Sequence, residues 1–108
     1  MASALQAGWR HLDLAEMYGN QAALGSLFCE LGWCDNATPT ARGDTIARNE
    51  VFVTSKVWAT NLGEIGAALS NTLTSTGLSY LDLYLIHWPV PMQSVGVVRQ
   101  TTRRDATV

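Results

Sequence analysis

The sequence has little of what would mark several functional classes. Its apolar runs are too short to cross a bilayer, which takes about 20 consecutive apolar residues. The opening stretch, MASALQAGWRH, has neither a basic start nor an extended apolar core, so it does not read as a signal peptide. Only two cysteines are present, Cys29 and Cys34. Their C-x4-C spacing matches no common zinc or redox motif, and they read as free thiols in a reducing cytosol. Positive charge is scarce: seven Lys plus Arg stand against nine Asp plus Glu, for a net charge of −2. That balance leaves no footprint for nucleic acid or for an anionic membrane surface. The one basic cluster, Arg99, Arg103 and Arg104, reads as a solvated tail. Asn-Ala-Thr at 36–38 is formally a glycosylation triplet, with no secretory route to use it. With two histidines in the whole chain and no His-x-x-x-His, no metal site is expected.

What is present is a chain of 108 residues that is 47% apolar, enough for one packed domain or part of one. Residues 2–7 are Ala-rich and stop at Gly8, a helix with its glycine at the end. A short strand follows over about 9–13. Ala23, Leu24, Leu27, Phe28 and Leu31 then recur at helical spacing, ended by Gly32. Residues 33–49 show little periodicity and read as a polar loop at the far end from any rim of strand ends. VFVTSKVW, rich in β-branched residues, is a second strand. Asn61 and Glu64 have the spacing of a capping box for a helix whose stripe is Leu62, Ile65, Leu69 and Leu73, closed by Gly77. Residues 80–86 are nearly all apolar and read as a wholly buried third strand, before Pro89 and Pro91 break the pattern. Strands alternating with helices predict βαβ units and a parallel sheet.

In this reading the three strands end on Asp13, Lys56 and His87, so three ionisable residues meet at one rim, the edge where α/β folds place active sites. Each has a plainer use as well: Asp13 as a helix cap, Lys56 reaching to water, His87 as a satisfied structural histidine. Tyr18, five residues after Asp13, lies in the loop that opens the next helix and can fold back over the rim, although it could equally be ordinary packing. A tyrosine hydroxyl ordinarily titrates near pH 10, and a neighbouring ammonium stabilises its phenolate. Lys56 can supply that ammonium, Asp13 can hold it, and His87 can donate a hydrogen bond to a substrate oxygen. Together they suit a general acid aimed at a carbonyl. No nucleophile has an adjacent base, so acyl transfer fits poorly. The electrons must then come from a hydride cofactor. His11, two residues before Asp13 on the same strand face, reads as interior or supporting.

GWRHLDLAEMYGNQ, VFVTSKVW and YLDLYLIHWPVP, in that order, resemble the signatures of the aldo-keto reductase family over roughly residues 2–91. The resemblance implies an α/β fold, a partial (β/α)8 TIM barrel with about three parallel strands and intervening helices. Residues 1–91 would form a partial NADP-dependent oxidoreductase domain, and 92–108 a divergent tail. It implies NADPH-dependent reduction of aldehydes or ketones to alcohols, with Asp13, Tyr18, Lys56 and His87 as the catalytic set and Tyr18 as proton donor. Trp88, and with it Trp58, would line the substrate pocket, and Asp13 would also face the cofactor. Such barrels typically need about 250 residues, so the chain looks truncated and most of the NADPH site falls outside it. The expected partners are therefore a small-molecule carbonyl substrate and, through open sheet edges, a second copy; no nucleic acid and no membrane is expected, and the location is cytoplasmic. The alternative is a catalytically silent fragment that binds a partner or regulates.

Overall fold

The structure, a computed structural model, describes residues 1–35 and 46–93. The triplet at 36–38, most of the 33–49 loop and the three arginines of the tail lie outside the described residues. The elements run α1 (Ala2–Gln6), β1 (His11–Asp13), α2 (Gln21–Glu30), β2 (Phe52–Val57), α3 (Ile65–Thr76) and β3 (Leu83–Ile86). Short 3-10 turns occupy Glu16–Tyr18, Arg48–Glu50 and Ala59–Glu64. The strands form one parallel sheet in the order β1-β2-β3. Asp13 pairs with Thr54, Thr54 with Leu83, and Lys56 with Leu85. Each strand therefore lies beside the next in sequence, with a helix crossing between them, as parallel pairing requires.

One face of the sheet is covered. Leu12, Leu14 and Val53 point into a core with Leu5, Phe28, Trp33, Val51 and Leu78. Phe28 stacks on Trp33 at 5.3 Å between ring centroids, and the Trp33 indole N–H donates to the Ile46 carbonyl at 2.8 Å. Part of the stretch read as a polar loop thus belongs to the core. The helices α2 and α3 cross closely because Gly25, buried in α2, has no Cβ to collide with the Ser75 carbonyl.

The other face is open. Leu83 and Leu85 are each 40% exposed and Phe52 44%. This corrects the reading of 80–86 as a wholly buried strand. An all-apolar strand is expected where both faces are covered, and among the described residues only the helical side is. The stripe on α3 is also rotated from the sequence reading: Ala68, Thr72 and Thr76 are buried, while Ile65 is 40% exposed. Nor does the capping box form. A 3-10 turn occupies 59–64, α3 starts at Ile65, and the Asn61 amide is engaged elsewhere.

At the N-terminal end of the strands Arg48 forms an ion pair with Asp82 at 2.8 Å, donates to the Val51 and Tyr80 carbonyls, and lies over the Tyr80 ring. Asp82 also accepts the Val53 N–H at 2.8 Å. Burial alone would raise the Asp82 pKa. The Val53 N–H and the guanidinium outweigh it and hold the carboxyl below its ordinary value.

Cys29 and Cys34 are joined as a disulfide, so the free-thiol reading is corrected. Gly32 adopts a positive φ of 81° after α2 and turns the chain back over the helix end. This brings the two Cα atoms to 4.8 Å, and the bare Gly77 backbone leaves room for the sulfurs.

Candidate active site

Three strand ends and one turn build the site. Lys56 is the only lysine in the chain. It sits one residue before the end of β2, with its side chain mostly buried and its ammonium lying towards β1. There it donates to Asp13 Oδ1 at 2.7 Å, to the Leu14 carbonyl at 3.1 Å and to the Tyr18 hydroxyl at 3.4 Å. Burial works to lower the Lys56 pKa, but the bonds to Asp13 and Tyr18 and the pull of the carboxylate win, leaving it above the usual lysine value. Lys56 is therefore an ammonium at neutral pH. Asp13 ends β1, and its side chain remains 58% exposed despite the ion pair. One carboxylate oxygen is committed to Lys56.

Tyr18 ends the 3-10 turn at Glu16–Tyr18. Gly19, at φ 68°, stops that turn and lets α2 begin at Gln21. The turn aims the ring back over the strand ends, where it lies 5.1 Å from the Lys56 ammonium and meets the His87 ring edge-on at 5.8 Å. Tyr18 is 52% exposed, so a reactant can reach it from solvent. His87 follows β3, and its N–H extends the sheet by donating to the Val57 carbonyl at 3.1 Å. Its Nδ1 is buried without a partner among the described residues. Trp58 meets His87 edge-on at 5.4 Å and tilts against Trp88 at 5.1 Å, forming an aromatic wall beside the histidine. The structure thus brings together all six residues that the sequence singled out. His11 stands apart: its Nε2 pairs with Thr54 Oγ1 at 2.8 Å and its ring meets Phe52, not the cluster.

Glu16 escaped the sequence reading. Its carboxylate accepts the Trp58 backbone N–H at 2.9 Å through Oε2 and the Asn61 amide through Oε1. It lies between Asp13 and Tyr18, but its partners are 42 and 45 residues away, so no local spacing marks it. The Leu14 carbonyl, third partner of Lys56, was equally invisible.

Among the described residues no group of three His, Cys, Asp or Glu could hold a metal ion. The donor set suits an organic reactant instead: a hydroxyl beside a fixed ammonium, a carboxylate with exposed surface, and an imidazole against tryptophan rings. The class is a segment of a (β/α)8 barrel with an acid–base cluster at the C-terminal ends of its strands.

The chain belongs to the aldo-keto reductases. The sequence model of the Aldo/keto reductase family matches residues 1–102. Aldehyde reductase YPR1 of Saccharomyces cerevisiae is 38% identical over 92 residues, which is 85% of this chain and 25% of that protein. The solved aldose reductase of Giardia lamblia superimposes with a TM-score of 0.70 at 31% identity, covering 84% of this chain and 28% of the other. An aldo-keto reductase of Bombyx mori, solved in complex with NADP, gives 0.68 at 33% identity, over 83% of this chain and 27% of that one. The chain thus spans about a quarter of the length of the curated relatives it matches.

Proposed function

We propose that the chain serves NADPH-dependent reduction of aldehyde or ketone carbonyls to alcohols. The observation that carries this reading is the single ammonium of Lys56 placed between Asp13 and the Tyr18 hydroxyl. NADPH, when bound, supplies the hydride to the carbonyl carbon. Tyr18 gives its proton to the carbonyl oxygen, and the Lys56 ammonium stabilises the charge left on the phenolic oxygen. Asp13 keeps Lys56 charged and aimed. His87 orients the carbonyl oxygen, and Trp58 and Trp88 line the side of the pocket. Asp13, with much of its carboxylate exposed, is the residue here that would face the cofactor's hydroxyl and amide groups. A dinucleotide needs more contacts than these, and they would come from barrel strands beyond the three described. In this reading residues 1–91 are the barrel segment, 92–108 a divergent tail, and the setting is the cytoplasm.

The test is oxidation of NADPH, followed by absorbance, by this segment completed to a full barrel, against a panel of aldehydes and ketones, with NADH alongside. Carbonyl-dependent oxidation with alcohol formed in equal amount is expected. Its absence across the panel refutes the reading.

The open face of Phe52, Leu83 and Leu85 supports a second reading, a silent piece that docks on a partner or on another copy. Titrating NADPH fluorescence with the 108-residue chain separates the two. Saturable binding counts against the silent reading, and an unchanged signal counts for it.

A further inference from the structure

We propose that Glu16 is a positioning residue for this site, a carboxylate clamp that sets the spacing of Tyr18 from the Trp58–His87 wall. The proposal rests on the carbonyl-reduction reading above. Tyr18 rides on a 3-10 turn of three residues, Glu16–Tyr18, too short to hold its own orientation. The strand before it is fixed through Leu14, whose N–H donates to the Thr54 carbonyl at 2.8 Å. Beyond that, among the described residues, the hydrogen bonds that tie the turn to the β2–α3 connection are those of Glu16. One carboxylate oxygen takes the Trp58 backbone N–H at 2.9 Å and the other takes the Asn61 side-chain amide. Both donors lie just beyond β2, in the connection that leads to α3.

Trp58 in turn packs against both His87 and Trp88, at 5.4 and 5.1 Å. Tyr18 meets the same histidine edge-on at 5.8 Å. Glu16 therefore closes a ring of contacts, from its own turn to Trp58, to His87, to Tyr18 and back. Removing the carboxylate frees two donors and lets the turn shift against the wall, while Lys56 and Asp13 keep their ion pair. The expected signature is a loss of alignment, not of charge. A shift of about 1 Å in a reacting group can slow turnover by about a hundred-fold.

The variants are Glu16→Leu, which removes both acceptors at similar size, and Glu16→Gln. The glutamine carbonyl can still accept the Trp58 N–H, and its NH2 can donate to Asn61 once that amide turns over. Two readouts are taken on the full chain. The first needs no substrate: the far-UV circular-dichroism couplet of the Trp58–Trp88 pair, identified by its loss in Trp88→Phe. The second is steady-state aldehyde reduction. Glu16→Leu should lose most of the couplet and about ten-fold or more in kcat, with KM for NADPH within about two-fold; Glu16→Gln should keep the couplet and stay within about three-fold in kcat. A folded Glu16→Leu with an intact couplet and unchanged kcat overturns the proposal. If wild type shows no turnover, the reduction reading fails on its own and the couplet still decides the clamp. If Glu16→Leu does not fold, Asn61→Ala, which deletes one donor, decides: a weakened couplet supports the clamp and an unchanged one overturns it.

Discussion

Replacing Lys56 by methionine keeps the stem of the side chain and removes the ammonium. The loss can be sized from the geometry. Two unit charges 3.4 Å apart, the separation of the Lys56 Nζ from the Tyr18 oxygen, attract by about 1 kcal/mol in bulk water and about 5 kcal/mol at an effective dielectric near 20. Tyr18 is 52% exposed, so water screens the pair and the lower part of that range applies, about 2 kcal/mol. The charge on the tyrosine oxygen exists only once the proton has moved, so this energy belongs to the transition state and not to binding. At about 1.4 kcal/mol per decade, kcat should fall about thirty-fold, with KM for the aldehyde little changed. Following NADPH absorbance under saturating cofactor measures both constants. The raised Lys56 pKa also fixes a pH window. Its contribution to stability is present below the ordinary lysine value near 10.5 and is lost as pH rises through the higher folded value. Between pH 6 and pH 9 the lysine should therefore impose no break on the rate profile. A variant within about three-fold of wild type in kcat would refute the electrostatic role given to Lys56.

Two further predictions concern the scaffold. Asp82→Asn should cost about 2–3 kcal/mol in chemical denaturation, since it discharges the Arg48 pair and weakens the acceptor of the Val53 N–H. Because the Asp82 pKa is lowered in the fold, wild type should lose that advantage as pH falls below about 4, through the depressed value, and the two proteins should converge in acid. Cys29→Ser with Cys34→Ser should cost about 2 kcal/mol, the value for closing so short a loop, and the wild-type chain should show reactive thiols only after reduction.

Much of the architecture is legible in the sequence because it rests on local chemistry. Gly8, Gly32 and Gly77 follow helices and take positive φ, as residues without a Cβ can. The β-branched run at 51–57 becomes β2, and the strand ends bring Asp13, Lys56 and His87 to one rim. What was not legible depends on distant partners. Asn61 has the spacing of a cap, yet α3 starts only at Ile65, and the Asn61 side-chain NH2 donates to a Glu16 carboxylate 45 residues away in sequence. The disulfide depends on how the chain turns at Gly32, which spacing does not encode. The open face at Leu83 and Leu85 depends on what stands opposite, and composition is silent about that.

Tyr18 is proposed as the proton donor of a carbonyl reductase site. The most direct test of that role is Tyr18→Phe, which removes one oxygen and leaves the ring against His87. Aldehyde reduction should fall about a hundred- to ten-thousand-fold, the range for losing a general acid, with NADPH binding preserved. Reduction within about three-fold of wild type would contradict it.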